Sequence, residues 1–214
     1  MLHYPKIAGS RDCPGGRCFA FEKYDGTNLH WDWNREHGWH AFGTRRDAFN
    51  LLPEGIAEFG RVHEHLSGCV ELFLSTLAEG VEQVFRNATT FRAVDDCKVF
   101  TEFLGPNSFA GLHKADDPKR LVLFDVRAEP FGMAGPERFV AEFGHLPIAR
   151  LVYQGKFTGK FAEDVRMGRY AVAEGVVCKG GQGGHDLWMA KIKTYAYLER
   201  LKQAFAERWE DYWE

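Results

Sequence analysis

The sequence has no long hydrophobic run, few cysteines and little net charge. It contains no stretch of the roughly 18 apolar residues that a membrane-spanning helix needs, so we expect no membrane span. Residues Met1 to Lys6 lack the basic and then apolar layout of a signal peptide, which makes a cytoplasmic protein the expectation. The five cysteines are an odd number, and their spacing specifies neither a disulfide framework nor a zinc ribbon. We therefore expect reduced thiols that are mostly buried.

The net charge of −3 hides an uneven distribution along the chain. Between Arg150 and Lys193 there are eight basic and four acidic residues, which gives +4 in this stretch and leaves −7 elsewhere. Such a stretch is typical either of an ordinary solvated surface or of a face that binds phosphates. Charge alone favours the ordinary surface.

Short β-like segments separated by glycine-containing turns alternate with helical spacing. The predicted strands are Cys18–Lys23, Asn28–Trp33, Gly38–Thr44, Lys98–Leu104, Leu121–Val126, Glu174–Cys178 and Leu187–Lys193. Helical spacing covers Pro53 to Arg86, Pro136–Phe143, Lys160–Met167 and an amphipathic C-terminal helix from Tyr195 to Trp213. No repeat, low-complexity tract or linker is present, so we predict one α+β domain over residues 1–214, with mainly antiparallel sheets and flanking helices.

One lysine lies where a nucleophile could be held. In the segment Glu22 to Asn28, Lys23 ends a predicted strand and precedes a glycine turn and a second strand, which predicts a rigid hairpin. Taken alone, this short motif favours an ordinary exposed lysine before a turn, because short motifs recur by chance. The motif therefore needs support from the rest of the chain.

Further short motifs follow in a fixed order. They are Thr44-Arg45-Arg46, Thr101 to Gly105, Val122 to Val126, Glu174 to Lys179 and Met189 to Lys193. With the Lys23 segment, these six elements resemble motifs I, Ia, III, IIIa, IV and V of the covalent nucleotidyltransferase superfamily of ATP-dependent ligases and capping enzymes. The resemblance runs from Glu22 to Lys193 and implies an α+β nucleotidyltransferase domain of the ATP-grasp-like ligase kind.

The chemistry that the resemblance implies depends on an uncharged lysine. Neutral Lys23 would attack the α-phosphate of ATP, and we expect Lys191, Lys193 and bound Mg²⁺ (or Mn²⁺) to lower the pKa of Lys23. Lys191 and Lys193 alternate along a strand, so both can contact phosphate oxygens. By itself, a Lys-x-Lys pair on an edge strand would favour protection against aggregation.

The resemblance also implies roles for other residues. Glu174 would bind the divalent metal, with Asp25 as a second candidate ligand, because hard cations prefer oxygen ligands. Glu102 would contact the ribose and Phe124 would stack on adenine. Arg45 would hold phosphate, with Arg46 as the alternative, because adjacent strand residues face opposite sides.

The segment around Lys23 indicates a branch of the superfamily. Glu22 before the lysine and Gly-Thr-Asn28 after it resemble the RNA ligases of the phage double-strand-sealing type, in which the counterparts of Glu22 and Asn28 also serve the nucleotide site. Only about twenty residues follow Lys193, so we expect neither the oligonucleotide-binding barrel of DNA ligases and capping enzymes nor the large helical C-terminal domain of typical RNA ligases. The chain would be a minimal catalytic domain.

The function implied is ATP-dependent RNA ligation, as in RNA repair, which joins 5′-phosphate and 3′-hydroxyl ends through a lysyl-AMP and an RNA-adenylate. The stretch from Lys156 to Lys179 is the candidate RNA track, and an end-healing or RNA-binding partner protein would assist. The alternatives are a DNA ligase, a guanylyltransferase, or a non-catalytic module that binds nucleotides or RNA ends. The histidines, including His30, His63 and His65, are given no chemistry.

Overall fold

Two β-sheets with helices on their outer faces form the structure, a computed structural model that describes residues 4–105, 108–114 and 116–212. The strands are β1 Ala8–Gly9, β2 Gly16–Lys23, β3 Thr27–Asn34, β4 Gly38–Thr44, β5 Phe49–Asn50, β6 Asp96–Leu104, β7 Arg120–Ala128, β8 Gly132–Met133, β9 Leu151–Phe157, β10 Gly175–Gly180 and β11 Trp188–Lys193. The helices are α1 Pro53–Val62, α2 Cys69–Phe73, α3 Glu79–Asn87, α4 Pro136–Phe143, α5 Gly159–Arg166 and α6 Tyr195–Phe205. The predicted α+β class is confirmed.

Sheet 1 has the strand order β1-β11-β10-β2-β9, and sheet 2 has the order β5-β4-β3-β6-β7-β8. The named strands pair antiparallel except for β1, which lies parallel to β11. Strands β2 and β3 belong to different sheets, so the prediction that Lys23 lies on a two-stranded hairpin is wrong. The turn after Lys23 instead carries the chain from one sheet to the other.

The larger core lies between sheet 2 and helices α1 to α3. Alternation along β3 buries Leu29, Trp31 and Trp33 on the helical side. The ring of Trp31 stacks on Phe73 at 3.9 Å, and its indole N–H donates to Thr101 Oγ1 at 2.9 Å. Sheet 1 has a smaller core of its own, in which α5 packs against β10 and β11. Each sheet therefore has a covered outer face, and the two remaining faces meet.

All seven predicted strands are present, within a few residues at their ends, but β1, β5, β8 and β9 were not predicted. The helical stretch from Pro53 to Arg86 is interrupted after His63, where a 3₁₀ turn and the left-handed Gly68 separate α1 from α2. Helices α2 and α3 are joined by a π-helical turn, Leu74–Ala78. The predicted C-terminal helix ends at Phe205 and continues as a 3₁₀ helix to Tyr212, while Trp213 lies outside the described residues.

The five cysteines are free thiols, and all except Cys13 are buried, as expected. In the part of the chain that the structure describes, no helix is long and apolar enough to cross a membrane.

Candidate functional site

A cleft of about 810 Å³ lies where the two sheets meet. Side chains from β2, β10 and β11 of sheet 1 face residues of β3, β6 and β7 of sheet 2 across it. The structure brings all ten sequence-predicted site residues to the lining of this one cleft, namely Glu22, Lys23, Asp25, Asn28, Arg45, Glu102, Phe124, Glu174, Lys191 and Lys193. These residues come from most of the length of the chain and meet only because the sheets face each other.

Lys23 is paired with Glu174 inside the cleft. The Lys23 Nζ lies 2.7 Å from Glu174 Oε1, and the Glu174 side chain is almost fully buried. Strand β10 separates β2 from β11, so Lys193 does not lie on the strand next to Lys23. Instead, Gly175 is in register with Lys23 on one side and with Lys193 on the other. A side chain at Gly175 would clash with the backbone of Ile192, so a glycine lets these strands approach closely.

The side chains around Lys23 favour its protonated form. Burial lowers the pKa of Lys23, but the neighbouring carboxylates of Glu174 and Glu102, together with the Glu174 hydrogen bond, raise it above its usual value. The carboxylates of the cleft thus favour the protonated form of Lys23. The lowering of its pKa by a bound divalent metal stays a prediction.

Glu174 has one oxygen that fits a cation. Its Oε2 is buried and has no hydrogen-bond partner among the described residues, and burial raises the pKa of Glu174 despite the nearby Lys23. A buried carboxylate oxygen without a donor is stabilised by a bound cation. No group of three or more acidic, histidine or cysteine side chains in the described part of the chain could hold a metal by itself. A divalent ion here would need substrate oxygens and water as further ligands, as Mg²⁺ commonly does.

Asp25 holds the crossover turn in place. Its Oδ1 accepts a hydrogen bond from the Tyr197 hydroxyl at 2.8 Å, and its Oδ2 accepts one from the Ala110 N–H at 3.0 Å. The side chain is buried. These contacts favour a positioning role for Asp25 over the predicted metal-binding role.

Lys191 and Lys193 line the cleft from the same face of β11, as their spacing predicts. Burial lowers the pKa of Lys193 to about 8, against the opposing effect of Glu174. The Lys193 Nζ lies 5.4 Å from the ring centroid of Tyr197, within cation–π range. Tyr197 thus touches both Lys193 and the turn that follows Lys23.

Glu102 and Asn28 are register partners on β6 and β3. The Gly26 N–H donates to Glu102 Oε1 at 3.2 Å, and a side chain at Gly26 would clash with Glu102 and with the carbonyl oxygen of Phe103. Burial raises the pKa of Glu102 to about 7, while Lys23 acts in the opposite direction. Burial in the cleft therefore disfavours the charged form of Glu102.

Glu22 is held from outside the cleft by Arg150, a residue that belongs to none of the predicted motifs. The Arg150 Nε donates to Glu22 Oε2 at 2.8 Å, and the Glu22 N–H donates to the Arg150 carbonyl oxygen at 2.8 Å. Arg150 belongs to the basic stretch, but its guanidinium is engaged in this pair.

Phe124 lies on the cleft wall and is supported by a buried polar network. Lys179 Nζ donates to the Phe124 carbonyl oxygen at 2.7 Å and pairs with Asp125 Oδ2 at 2.7 Å. The Tyr4 hydroxyl also donates to Asp125, and the Tyr4 ring contacts Phe124 edge-on at 5.1 Å. Lys179 and Asp125 join β10 of sheet 1 to β7 of sheet 2 at the base of the cleft.

The candidate RNA track from Lys156 to Lys179 does not form one open basic surface. Lys179 is only 3% exposed, and Lys160 and Arg169 both pair with Asp164. Assigning Lys179 to an RNA-facing surface is wrong, because its charge is neutralised inside the protein.

Arg45 and Arg46 both line the cleft, although alternation predicts only one. Strand β4 ends at Thr44, so both arginines lie in the bend beyond it, where strand alternation does not apply.

His63 and His65 also line the cleft, whereas His30 is buried elsewhere with a pKa lowered to about 4 by burial and by Lys98. Sequence reasoning missed Tyr4, His63, His65 and Tyr197, because no short motif carries them.

No protein-family model and no curated protein matches the sequence. Solved structures do match. An archaeal ATP-dependent RNA ligase is 18% identical, with 96% of this chain and 52% of that chain covered and a TM-score of 0.59. A putative ATP-dependent DNA ligase from Aquifex aeolicus is 18% identical over 99% of this chain and 57% of its own, with a TM-score of 0.58.

A Naegleria gruberi RNA ligase mutant solved with ATP and manganese is 16% identical, with 94% of this chain and 58% of that chain covered and a TM-score of 0.58. The chain therefore has the same fold as these solved ATP-dependent ligases. It spans between half and three fifths of the length of these solved ligases.

Proposed function

We propose that this chain is the nucleotidyltransferase domain of an ATP-dependent RNA ligase, which joins 5′-phosphate and 3′-hydroxyl RNA ends. The observation that carries the proposal is the ion pair between Lys23 and the buried Glu174, in a cleft lined by Lys191, Lys193 and Arg45. A lysine nucleophile and surrounding cations are what displacement at phosphorus requires.

In the first step the neutral Lys23 amine attacks the α-phosphorus of ATP. A P–N bond forms, the bond to the pyrophosphate oxygen breaks, and the departing pyrophosphate or a water molecule takes up the proton that the amine loses. Lys191 and Lys193 neutralise charge that develops on the phosphate oxygens, while Phe124 orients the base and Glu102 the ribose, with Glu22 and Asn28 beside them. Glu174, through its unpaired oxygen, would hold Mg²⁺ or Mn²⁺, which screens phosphate charge and weakens the hold of Glu174 on the Lys23 proton.

In the second step an RNA 5′-phosphate oxygen attacks the same phosphorus atom, so that AMP leaves Lys23 and forms the RNA-adenylate. In the third step a 3′-hydroxyl attacks the RNA 5′-phosphorus, releases AMP and completes the phosphodiester. Arg45, which lines the same cleft, would contact a phosphate during these steps. RNA is proposed over DNA because of the Glu22-to-Asn28 segment, and the RNA ligases among the structural neighbours are consistent with it.

The test is a sealing assay on nicked duplexes that carry RNA or DNA at the nick, with ATP or GTP and a divalent metal. We expect sealing of RNA with ATP, and loss of at least about 10³-fold in Lys23→Ala, since covalent catalysis is removed. Lys202→Ala on the exposed side of α6 is the matched control and should seal normally. Preference for DNA nicks would favour the DNA ligase alternative, and transfer from GTP alone would favour a guanylyltransferase. No reaction in any arm would favour a binding module.

A further inference from the structure

One histidine on the cleft wall, His63, is held in a single orientation. It directly follows α1, where its N–H donates to the Phe59 carbonyl oxygen at 2.8 Å, and its ring packs at 4.9 Å from the Phe59 ring. The ring Nε2 lies 2.7 Å from Asp47 Oδ2, and the side chain, which lines the cleft, is 17% exposed. His63 is therefore fixed through its backbone, its ring face and one ring nitrogen.

Asp47, the carboxylate that holds this ring, is itself held and is ionised at neutral pH. Its Oδ1 accepts hydrogen bonds from the Thr44 N–H at 3.1 Å and from the Thr44 hydroxyl at 2.6 Å, which leaves Oδ2 for His63. Burial raises the pKa of Asp47, but hydrogen bonds from Thr44 and His63 outweigh it and lower the pKa below its usual value. The partner of His63 is therefore a negatively charged group.

The charge on Asp47 determines which nitrogen of the His63 ring carries a proton. A carboxylate can only accept hydrogen bonds, so Nε2 is the donor, and in the neutral ring Nδ1 carries a lone pair. Nδ1 makes no hydrogen bond with a described residue and is accessible to solvent. The cleft therefore holds an oriented base, backed by a carboxylate that stabilises the imidazolium formed when Nδ1 takes up a proton.

One step of the proposed ligation needs a proton acceptor that has not been assigned. Pyrophosphate or water takes the Lys23 proton in the first step, and an RNA phosphate oxygen, which is already an anion, attacks in the second. The 3′-hydroxyl of the third step is neutral, and removal of its proton makes its oxygen a stronger nucleophile. Asp47 lies two residues after Arg45, which would contact a phosphate in the proposed function. A base held by Asp47 would thus lie near the phosphate that the hydroxyl attacks.

We propose that His63 is the general base of the third step and that Asp47 is its positioning residue. This assignment rests on the proposed function. His63 Nδ1 takes the proton of the 3′-hydroxyl while that oxygen forms a bond to the RNA 5′-phosphorus. The bond from this phosphorus to the AMP phosphate oxygen breaks, and AMP leaves with the electron pair. The imidazolium then gives its proton to water.

Single-turnover sealing of a nicked RNA duplex that already carries the 5′-adenylate isolates the third step, because it needs no ATP. Glutamine can accept a hydrogen bond from a hydroxyl but cannot take its proton. We therefore expect His63→Gln to slow this sealing about 100-fold, and to slow lysyl-AMP formation at least about tenfold less. Asp47→Asn should also slow sealing, and the double variant should be no slower than His63→Gln, because the two residues act as a unit.

His37→Gln, on the exposed turn between β3 and β4, is the matched control and should seal at the wild-type rate. Imidazole added to His63→Ala should restore part of the sealing rate, because a free base can enter the space that the ring leaves. A purely structural loss would not respond to imidazole.

The outcomes separate the base from the ligase proposal. Equal sealing by the wild type and His63→Gln, or an equal loss in both steps without rescue by imidazole, would overturn the base alone. A wild type that does not seal the preformed adenylate would reject the ligase proposal and the base together. Sealing of the adenylate that depends on His63, in a protein that never forms lysyl-AMP, would leave the base standing and reject Lys23 as the nucleophile.

Discussion

The charged form of Glu102 is disfavoured in the folded protein, because its carboxyl group lies in the cleft. The carboxyl group packs against the Gly26 turn with Glu174 nearby, and burial raises its pKa to about 7. A glutamate with an ordinary pKa near 4.5 is charged at neutral pH. Because the pKa of Glu102 is higher than this in the folded protein, ionisation of its carboxyl group lowers the stability of the fold. Such destabilisation is common where a binding site excludes water before its ligand arrives.

The Glu102→Gln variant should be more stable than the wild type at high pH and not at low pH. The folded protein binds the Glu102 proton more tightly than the unfolded chain, so this contribution to stability is present below pH 4.5 and is lost as pH rises through 7. We expect the free energy of unfolding to rise by about 1–3 kcal/mol in the variant at pH 8, and to change little at pH 4.5. Urea unfolding at the two pH values measures it.

Glu137→Gln is the matched control for this experiment. Glu137 pairs with Arg17 at 3.4 Å on the surface, where both side chains are more than half exposed, so we expect less than about 0.5 kcal/mol at either pH. An equal gain for Glu102→Gln at both pH values would contradict the assignment of a raised pKa to Glu102.

Residues inside short ordered motifs could be predicted from the sequence, and residues brought in by tertiary contacts could not. Lys23, Glu102, Glu174, Lys191 and Lys193 lie in the quoted segments, and all line the cleft. Their roles stay predictions. Tyr4 and Tyr197 reach the cleft only through contacts more than a hundred residues apart in the chain, with Asp125 and Asp25 respectively, and no local pattern encodes such contacts.

Helix α6 contacts two parts of the cleft, the end of β11 and the turn after Lys23. Thr194 caps its first turn by accepting from the Tyr197 N–H, which places the Tyr197 ring under Lys193 and its hydroxyl on Asp25. The helix packs further on the loop around Ala110, whose N–H also donates to Asp25. One element therefore connects the strand that carries Lys193 with the turn that follows Lys23.

Tyr197→Phe should remove the hydrogen bond to Asp25 and keep the aromatic ring. Loss of a buried hydroxyl that donates to a carboxylate is expected to lower the free energy of unfolding by about 1.5–3 kcal/mol. Adenylylation should slow, because the turn after Lys23 is less well positioned, and Tyr197→Leu should slow it further by removing the cation–π contact. Rapid-quench measurement at saturating ATP separates this effect from ATP binding.

Tyr195→Phe on the same helix is the control. Tyr195 is exposed, and its hydroxyl contacts only surface Glu163, at 3.2 Å, among the described residues, so neither stability nor rate should change appreciably. Equal rates in Tyr197→Phe and the wild type would show that α6 packs on the turn without positioning it.

Helices begin where the sequence predicts when a proline or a capping side chain marks the first turn. Proline at the starts of α1 and α4, and the side-chain cap Thr158 before α5, agree with the predicted helix positions. The apolar spacing across residues 53–86 does correspond to helices. Periodicity could not predict that Gly68 adopts a left-handed conformation and interrupts them. The β2–β3 turn had the composition of a hairpin, and only the sheets into which each strand pairs show that it is a crossover.

At the scale of the whole molecule, the two sheets are joined through their buried interiors as well as by the chain. Lys179 on β10 and Asp125 on β7 form an ion pair, and burial lowers the pKa of Lys179 and raises that of Asp125. The pair therefore joins the sheet that carries the cleft lysines to the sheet that carries Glu102 and Phe124.

Mass spectrometry shows directly whether Lys23 accepts AMP from ATP in this cleft. The protein is first treated with pyrophosphate to remove any bound AMP, then incubated with ATP and a divalent metal and measured intact and after proteolysis. We expect a gain of one AMP on the peptide that contains Lys23, and none in Lys23→Ala. A folded protein that gains no AMP, or gains it on another residue, would show that Lys23 is not the nucleophile.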